Sequence, residues 1–200
     1  MNIQNVGIIG LGSMGYGMAQ SLLAAGHTTH GFDINPAQAA RFQSEGGAHG
    51  ALNAVLGQLD ALVVVVLNAA QTEAVLFGDD GGVRKMKAGS VVMACATVPP
   101  AFARDMAEQC AAYGVYYLDA PISGGAMKAA QGRLSVMASG SAEAFSAAEA
   151  VLDATAEKVF NLGDQAGAGS AMKAVNQLLA GVHIAAMAEA MTFGITQGVS

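Results

Sequence analysis

Basic residues are scarce in this sequence. Nine Lys and Arg among 200 residues, against fifteen Asp and Glu, give a formal net charge of −6 at pH 7. They are spread along the chain, so no basic patch is offered to a phosphate backbone, and nucleic acid is excluded as an expected partner. Cysteine occurs twice, at Cys95 and Cys110, and neither lies in a Cys-x-x-Cys pair or a Cys/His cluster. That spacing offers no metal site, and two isolated thiols are expected to be buried in a protein of a reducing, cytoplasmic compartment. Long apolar runs are few as well. The longest unbroken one before Asn68 is 61–67, and the stretch after Gln177 is interrupted by His183 and Glu189, so no membrane span is expected. The first ten residues show no basic segment ahead of an apolar one, so no signal peptide is expected either. His27, His30, His49 and His183 stand apart from any nucleophile or metal partner and are expected to be structural or superficial.

What is abundant is apolar. At 53% hydrophobic and 12% charged residues, the chain has ample core material and a surplus that a partner could cover. Its organising stretch is 6–33. Residues 6–10, Val-Gly-Ile-Ile-Gly, read as a strand buried on both faces. Gly10-Leu11-Gly12-Ser13-Met14-Gly15 then places GxGxxG at the turn from that strand into a helix, since Met14, Met18, Leu22 and Ala25 recur at helical spacing. Gly10 permits the tight turn, Gly12 lets a pyrophosphate approach the backbone, and Gly15 lets helix and strand pack closely, while the helix N-terminus offers N–H groups to an anion. A second strand, 28–32, ends in Asp33, eighteen residues after Gly15. An acid there accepts hydrogen bonds from ribose hydroxyls and repels a 2′-phosphate, which indicates NAD rather than NADP.

The remaining pattern alternates strands and helices, as expected of an α/β, Rossmann-type, doubly wound and mostly parallel sheet over 1–166. Asn35-Pro36 opens a helix that Gly46-Gly47 ends, a short strand and helix are expected within 48–57, and 60–67 reads as a central strand. Leu67 and Asn68 at its carboxyl end would border the cofactor, with Asn68 also able to cap the next helix. The strand at 89–94 leads to Thr97, which could equally face a ribose or nicotinamide or act as a plain N-cap before a helix to about 113. The strand at 115–118 delivers Asp119-Ala120-Pro121-Ile122-Ser123-Gly124-Gly125, where the Ser-Gly-Gly run is either a nest suited to a carboxylate or an ordinary loop. Strands at 134–139 and 158–160, with a helix between them, finish the sheet. From 167 the pattern changes, and 170–196 reads as one long Ala-, Leu- and Met-rich helix. Lys173, Asn176, Gln177 and Ala180 share a face of its first turns, so a cation stands beside two amides. That makes Lys173 a candidate catalytic residue.

Four blocks in order, at 10–27, 96–100, 119–140 and 167–181, resemble the β-hydroxyacid dehydrogenase family. The resemblance implies NAD contacts from Gly10, Leu11, Gly12, Met14, Gly15, Asp33, Leu67, Asn68 and Thr97. It implies substrate contacts from Ser123, Gly124, Gly125, Asn176 and Gln177, and a catalytic Lys173 acting as general acid and base on a small hydroxy acid. The stretches 67–78, 119–141 and 177–191 look closest to family members that oxidise a four-carbon sugar acid at C2. Family members run on for about another hundred residues, as a helical domain that closes over the substrate and supplies a further lysine. Residues 167–200 would be the start of that domain, and the expected assembly is a homo-dimer or tetramer. The readings set against this one are a non-catalytic NAD-binding module or fragment, a 3-hydroxyisobutyrate or tartronate semialdehyde-type enzyme of the same family and, more distantly, 6-phosphogluconate dehydrogenase. Few basic residues near Ser123 speak against a phosphorylated substrate, and the 200 residues alone are expected to bind cofactor with little or no turnover.

Overall fold

The computed structural model of the protein describes residues 4–79 and 81–199. The first three residues of the N-terminal reading and the last residue of the 167–200 segment lie outside the described residues, as does Asp80. Alternation of apolar side chains sets the architecture. In the strand β1 (Asn5–Ile9) and those that follow, successive residues feed opposite faces of a sheet. The helix α1 (Gly15–Ala24) leads to β2 (Thr28–Phe32) and α2 (Pro36–Ser44), where Asn35 caps by accepting the Ala37 N–H and Pro36 fills the first position. A single turn, α3 (Leu52–Val55), precedes β3 (Ala61–Val64), α4 (Ala69–Phe77), β4 (Val91–Ala94), α5 (Pro100–Ala111) and β5 (Tyr116–Asp119). These five strands form one parallel sheet in the order β2-β1-β3-β4-β5.

In β3 all four residues are buried. Ala61 and Val63 join a core with Met18, Leu22 and Phe42, whereas Leu62 and Val64 join the opposite core with Leu76, Met106 and Cys110. Full burial of each such Val or Leu stabilises by about 1.5–3 kcal/mol. Both faces are therefore covered, as a parallel sheet requires. Cys95 and Cys110 are free and buried, as expected, and burial pushes both thiols up to about 12.

Two expectations need correction. No strand forms within 48–57; Ala48 donates to the Thr29 carbonyl at 2.8 Å, and the segment then turns into α3 and a short 3-10 turn. The later strands do not finish the same sheet. After β6 (Ile122–Ser123) and α6 (Gly125–Ala130), β7 (Leu134–Ala138) pairs antiparallel with β6 and parallel with β8 (Ala156–Asn161), which follows α7 (Ala142–Thr155). This three-stranded sheet meets the first through an antiparallel bridge between Asp119 and Ser139. Pro121, which has no N–H to donate, stands where the chain steps from one sheet to the other.

The last element, α8 (Ala168–Thr196), is a single helix of 29 residues. Gly169, Ser170 and Lys173 in its first turns are buried, and its remaining apolar residues, among them Leu178, Ile184 and Phe193, stand exposed. By length and composition alone α8 is apolar enough to cross a membrane, which a single apolar helix of this kind does not by itself establish.

Candidate active site

The glycine loop lies between β1 and α1. Gly10 has φ +97°, and a Cβ there would stand 2.1 Å from the Val65 carbonyl oxygen; one on Gly15 would stand 1.8 Å from the Gly10 carbonyl oxygen. Both glycines are fixed by close backbone approach. Gly12 differs: it is exposed and a Cβ would meet nothing within 4 Å. No packing within the chain asks for glycine there, which fits a ligand backbone brought against it. The N-terminus of α1 has no side-chain cap, so its N–H groups face that same space. Asp33, at the end of β2, accepts the Leu11 N–H on Oδ2 at 2.7 Å and the Asn35 N–H on Oδ1 at 2.8 Å. Each oxygen keeps lone-pair capacity for a ribose hydroxyl. Leu11 itself points into the core, 1% exposed, so only its backbone belongs to the loop.

Three further strand ends converge on the loop. Beyond β3, Leu67 is exposed and its N–H bonds the Gln71 side chain, while Asn68 caps α4 by accepting the Gln71 N–H at 2.9 Å. Beyond β4, Thr97 is exposed and is not the cap of α5, whose N-cap is Pro99. Of the two roles left open for Thr97, the plain cap is thus removed. Beyond β5, Ser123 closes β6, and Gly124 and Gly125 follow at φ +137° and +81°, where side chains other than glycine are strained.

Lys173 reaches this loop from α8. Its Nζ donates to the Ile122 carbonyl oxygen at 2.9 Å, and the residue is 8% exposed. Among the described residues no carboxylate lies within 4.0 Å of it. Burial, unopposed by a counter-charge, holds its ammonium below the usual lysine range.

A cleft of about 430 Å³ collects these pieces. Gly12, Met14, Gly15, Leu67, Thr97, Ser123, Gly124, Gly125, Lys173 and Gln177 line it, together with Ile122 and Cys95. Gly10, Leu11, Asp33, Asn68 and Asn176 do not. The first three shape or extend the loop, Asn68 serves α4, and Asn176 is exposed on α8. Among the described residues, Lys173 is the one charged side chain in the lining. A larger hollow of about 590 Å³ beside α5 contains none of the expected residues.

Sequence reading passed over Asp119, Ser139 and Ser170. Asp119 is 1% exposed and accepts the Gly167 and Ser170 N–H groups and the Ser170 hydroxyl at 2.7–2.9 Å. The sequence does hold one signal for it, since α8 opens on Gly167 with no capping side chain of its own and needs an acceptor from elsewhere.

The profile described as the NAD binding domain of 6-phosphogluconate dehydrogenase matches residues 5–163, and that described as the NAD-binding region of NADP-dependent 3-hydroxyisobutyrate dehydrogenase matches residues 167–200. The chain belongs to the β-hydroxyacid dehydrogenase family. An L-threonate dehydrogenase from Cupriavidus necator is 53% identical over 98% of this chain and 66% of its own length. Another from Haemophilus influenzae is 48% identical over 98% of this chain and 65% of its own. The chain thus spans about two thirds of the length of these curated relatives. A crystal structure of 3-hydroxyisobutyrate dehydrogenase from Salmonella typhimurium superposes with a TM-score of 0.92 at 50% identity, covering 98% of this chain and 69% of that one. The chain carries the family's NAD-binding fold, and the cleft lies at the carboxyl ends of its strands, where such sheets bind ligands.

Proposed function

We propose that the protein is an NAD-dependent dehydrogenase that oxidises the C2 hydroxyl of L-threonate to 2-dehydro-L-erythronate. The observation that carries this reading is Lys173, a buried cation held at the Ile122 carbonyl in the same cleft as the glycine loop. The curated relatives named L-threonate dehydrogenase support the choice of substrate. When bound, the cofactor supplies the nicotinamide that accepts a hydride. Gly10, Gly12, Met14 and Gly15 would hold its pyrophosphate, Leu67, Asn68 and Thr97 would border it, and Asp33 would take the adenosine ribose and disfavour NADP. Ser123, Gly124 and Gly125 would hold the substrate carboxylate, with Asn176 and Gln177 orienting the hydroxyl. Lys173, in its neutral form, takes the hydroxyl proton as the C–H bond gives up its hydride; protonated, it polarises the carbonyl in the reverse direction. A phosphorylated substrate is disfavoured because the cleft provides no second cation.

The same reading divides the chain into a dinucleotide domain at 1–166 and the start of a helical substrate and dimerisation domain at 167–200. It makes the whole protein a cytoplasmic homo-oligomer, consistent with the exposed apolar surface of α8. Absorbance at 340 nm tests the activity, with NAD and a panel of L-threonate, D-threonate, 3-hydroxyisobutyrate and D-glycerate, on this chain and on Lys173→Ala. Reduction with L-threonate that disappears in the variant is the expected result. Reduction with another acid of the panel instead would change the substrate, and saturable NAD binding without any reduction would reduce the chain to a cofactor-binding module.

A further inference from the structure

Lys173 owes its position to a carboxylate it never touches. Asp119 is fully enclosed, yet its two oxygens accept four hydrogen bonds. Three come from the first turn of α8, and the fourth comes from the Ser139 hydroxyl at 3.3 Å. Ser139 Oγ in turn accepts the Gly169 N–H at 2.9 Å. A Cβ on Gly169 would lie 2.4 Å from the Met137 carbonyl oxygen, so the helix start is pressed against β7 with no room to slide. A buried carboxylate is destabilising unless its lone pairs are filled, and here the donors that fill them are the free N–H groups of a helix whose dipole favours a negative charge.

Asp119 and Ile122 belong to one short segment, and Ser170 and Lys173 lie one helical turn apart. The segment therefore grips α8 twice: its carboxylate holds Ser170, and its Ile122 carbonyl accepts the Lys173 ammonium. Beyond Lys173 the helix is exposed almost throughout, so among the described residues nothing farther along it sets its rotation or axial height.

We infer that Asp119 is a positioning residue: with Ser139 and Ser170 it fixes the register of α8 against the 119–125 segment and so places the Lys173 ammonium in the cleft. The inference deepens the functional reading above and rests on it for its relevance to turnover. Its test does not, because it reads the placement of Lys173 directly. Trace acetylation of the 200-residue chain with acetic anhydride, with mass spectrometry of each lysine, gives the reactivity of Lys173 relative to Lys158 on exposed β8. In Asp119→Asn we expect Lys173 labelling to rise about tenfold while Lys158 stays constant, the scale of one charge-assisted hydrogen bond lost. In Ser170→Ala, which keeps the backbone bonds, a rise of about threefold is expected on the same scale. A variant that melts at lower temperature but keeps Lys173 labelling at the wild-type ratio would show Asp119 to be only a source of stability and overturn the proposal. Should Asp119→Asn fail to fold, an unchanged ratio in folded Ser170→Ala decides against the proposal in the same way. Loss of Lys173 shielding in the variants alongside undiminished turnover in Lys173→Ala would instead leave the clamp standing and remove the catalytic reading.

Discussion

At one end of the cleft the glycine loop is held by the strand that follows it, through Gly10 N–H on the Phe32 carbonyl and Leu11 N–H on Asp33. At the other, Lys173 is held by a carbonyl fifty-one residues earlier in the chain, and its helix is capped by an acid from that same distant segment. The first half is a local β-α-β unit whose geometry follows from glycine spacing. The second is an assembly across two sheets, and its geometry depends on the fold being complete. Damage to the two halves should therefore look different: at the local end, shape and cofactor affinity fail together or separately according to which glycine is changed, whereas at the assembled end chemistry fails while the cofactor still binds.

The largest effect is expected from Lys173→Ala, with kcat/KM for oxidation falling by about 10²–10⁴-fold as the proton acceptor is removed, while NAD affinity is retained. The wild-type pH profile sharpens the point. Burial favours the neutral amine, so the oxidation rate should climb as pH rises through a value below the ordinary lysine range and level off above it. A climb that waits until the ordinary lysine value, about 10.4, would mean that Lys173 is not the group that limits turnover.

Next comes Gly15→Ala at the local end. Its Cβ would collide with backbone at Gly10, which cannot swing aside as a side chain can. A loss of about 1–3 kcal/mol is expected. For a domain of this size each kcal/mol lowers Tm by about 2–4 °C, readable in a thermal melt, and NAD binding should fall with it. Asp33→Ala should act more gently on stability, by about 1 kcal/mol, because the Asn35 N–H it frees is exposed and can hydrate, leaving only the part-buried Leu11 N–H without its acceptor. Its distinguishing effect is on selectivity: fluorescence titration should show NAD weakened and the bias against NADP removed. A retained bias would assign discrimination to another residue.

The same contrast explains what was legible in the sequence. The fully buried apolar run of β3, the Asn35-Pro36 helix start and the order of strand, GxGxxG, helix and acid are local patterns, and each appears in the structure, although β3 ends at Val64, short of the expected 60–67. The sheet boundary at Pro121 was not legible, because pairing of β7 with β6 and β8 is decided by packing between distant segments. Asp119 was hidden for the same reason, since a capping acid is sought beside its helix and this one lies 51 residues before Ser170. Thr97 and Asn68 each had a ligand role and a cap role open. Only the completed helix starts separate them, with α5 beginning on Pro99-Pro100 and α4 on Asn68.

The smallest effect on the fold, and the finest test of the comparison, is Gly12→Ala. Gly10 and Gly15 are required by the chain's own backbone, but around Gly12 a Cβ meets nothing within 4 Å, and its backbone is not in the left-handed region. Stability should therefore change by no more than about 0.5 kcal/mol. NAD affinity should nevertheless fall about tenfold, because the added methyl occupies the space through which a pyrophosphate reaches the loop's N–H groups. The two readouts part only if the space above Gly12 belongs to the ligand. If the variant binds NAD as tightly as the parent, the pyrophosphate lies elsewhere along the loop, and the N–H groups at the start of α1 become the next place to probe with Gly15 left intact.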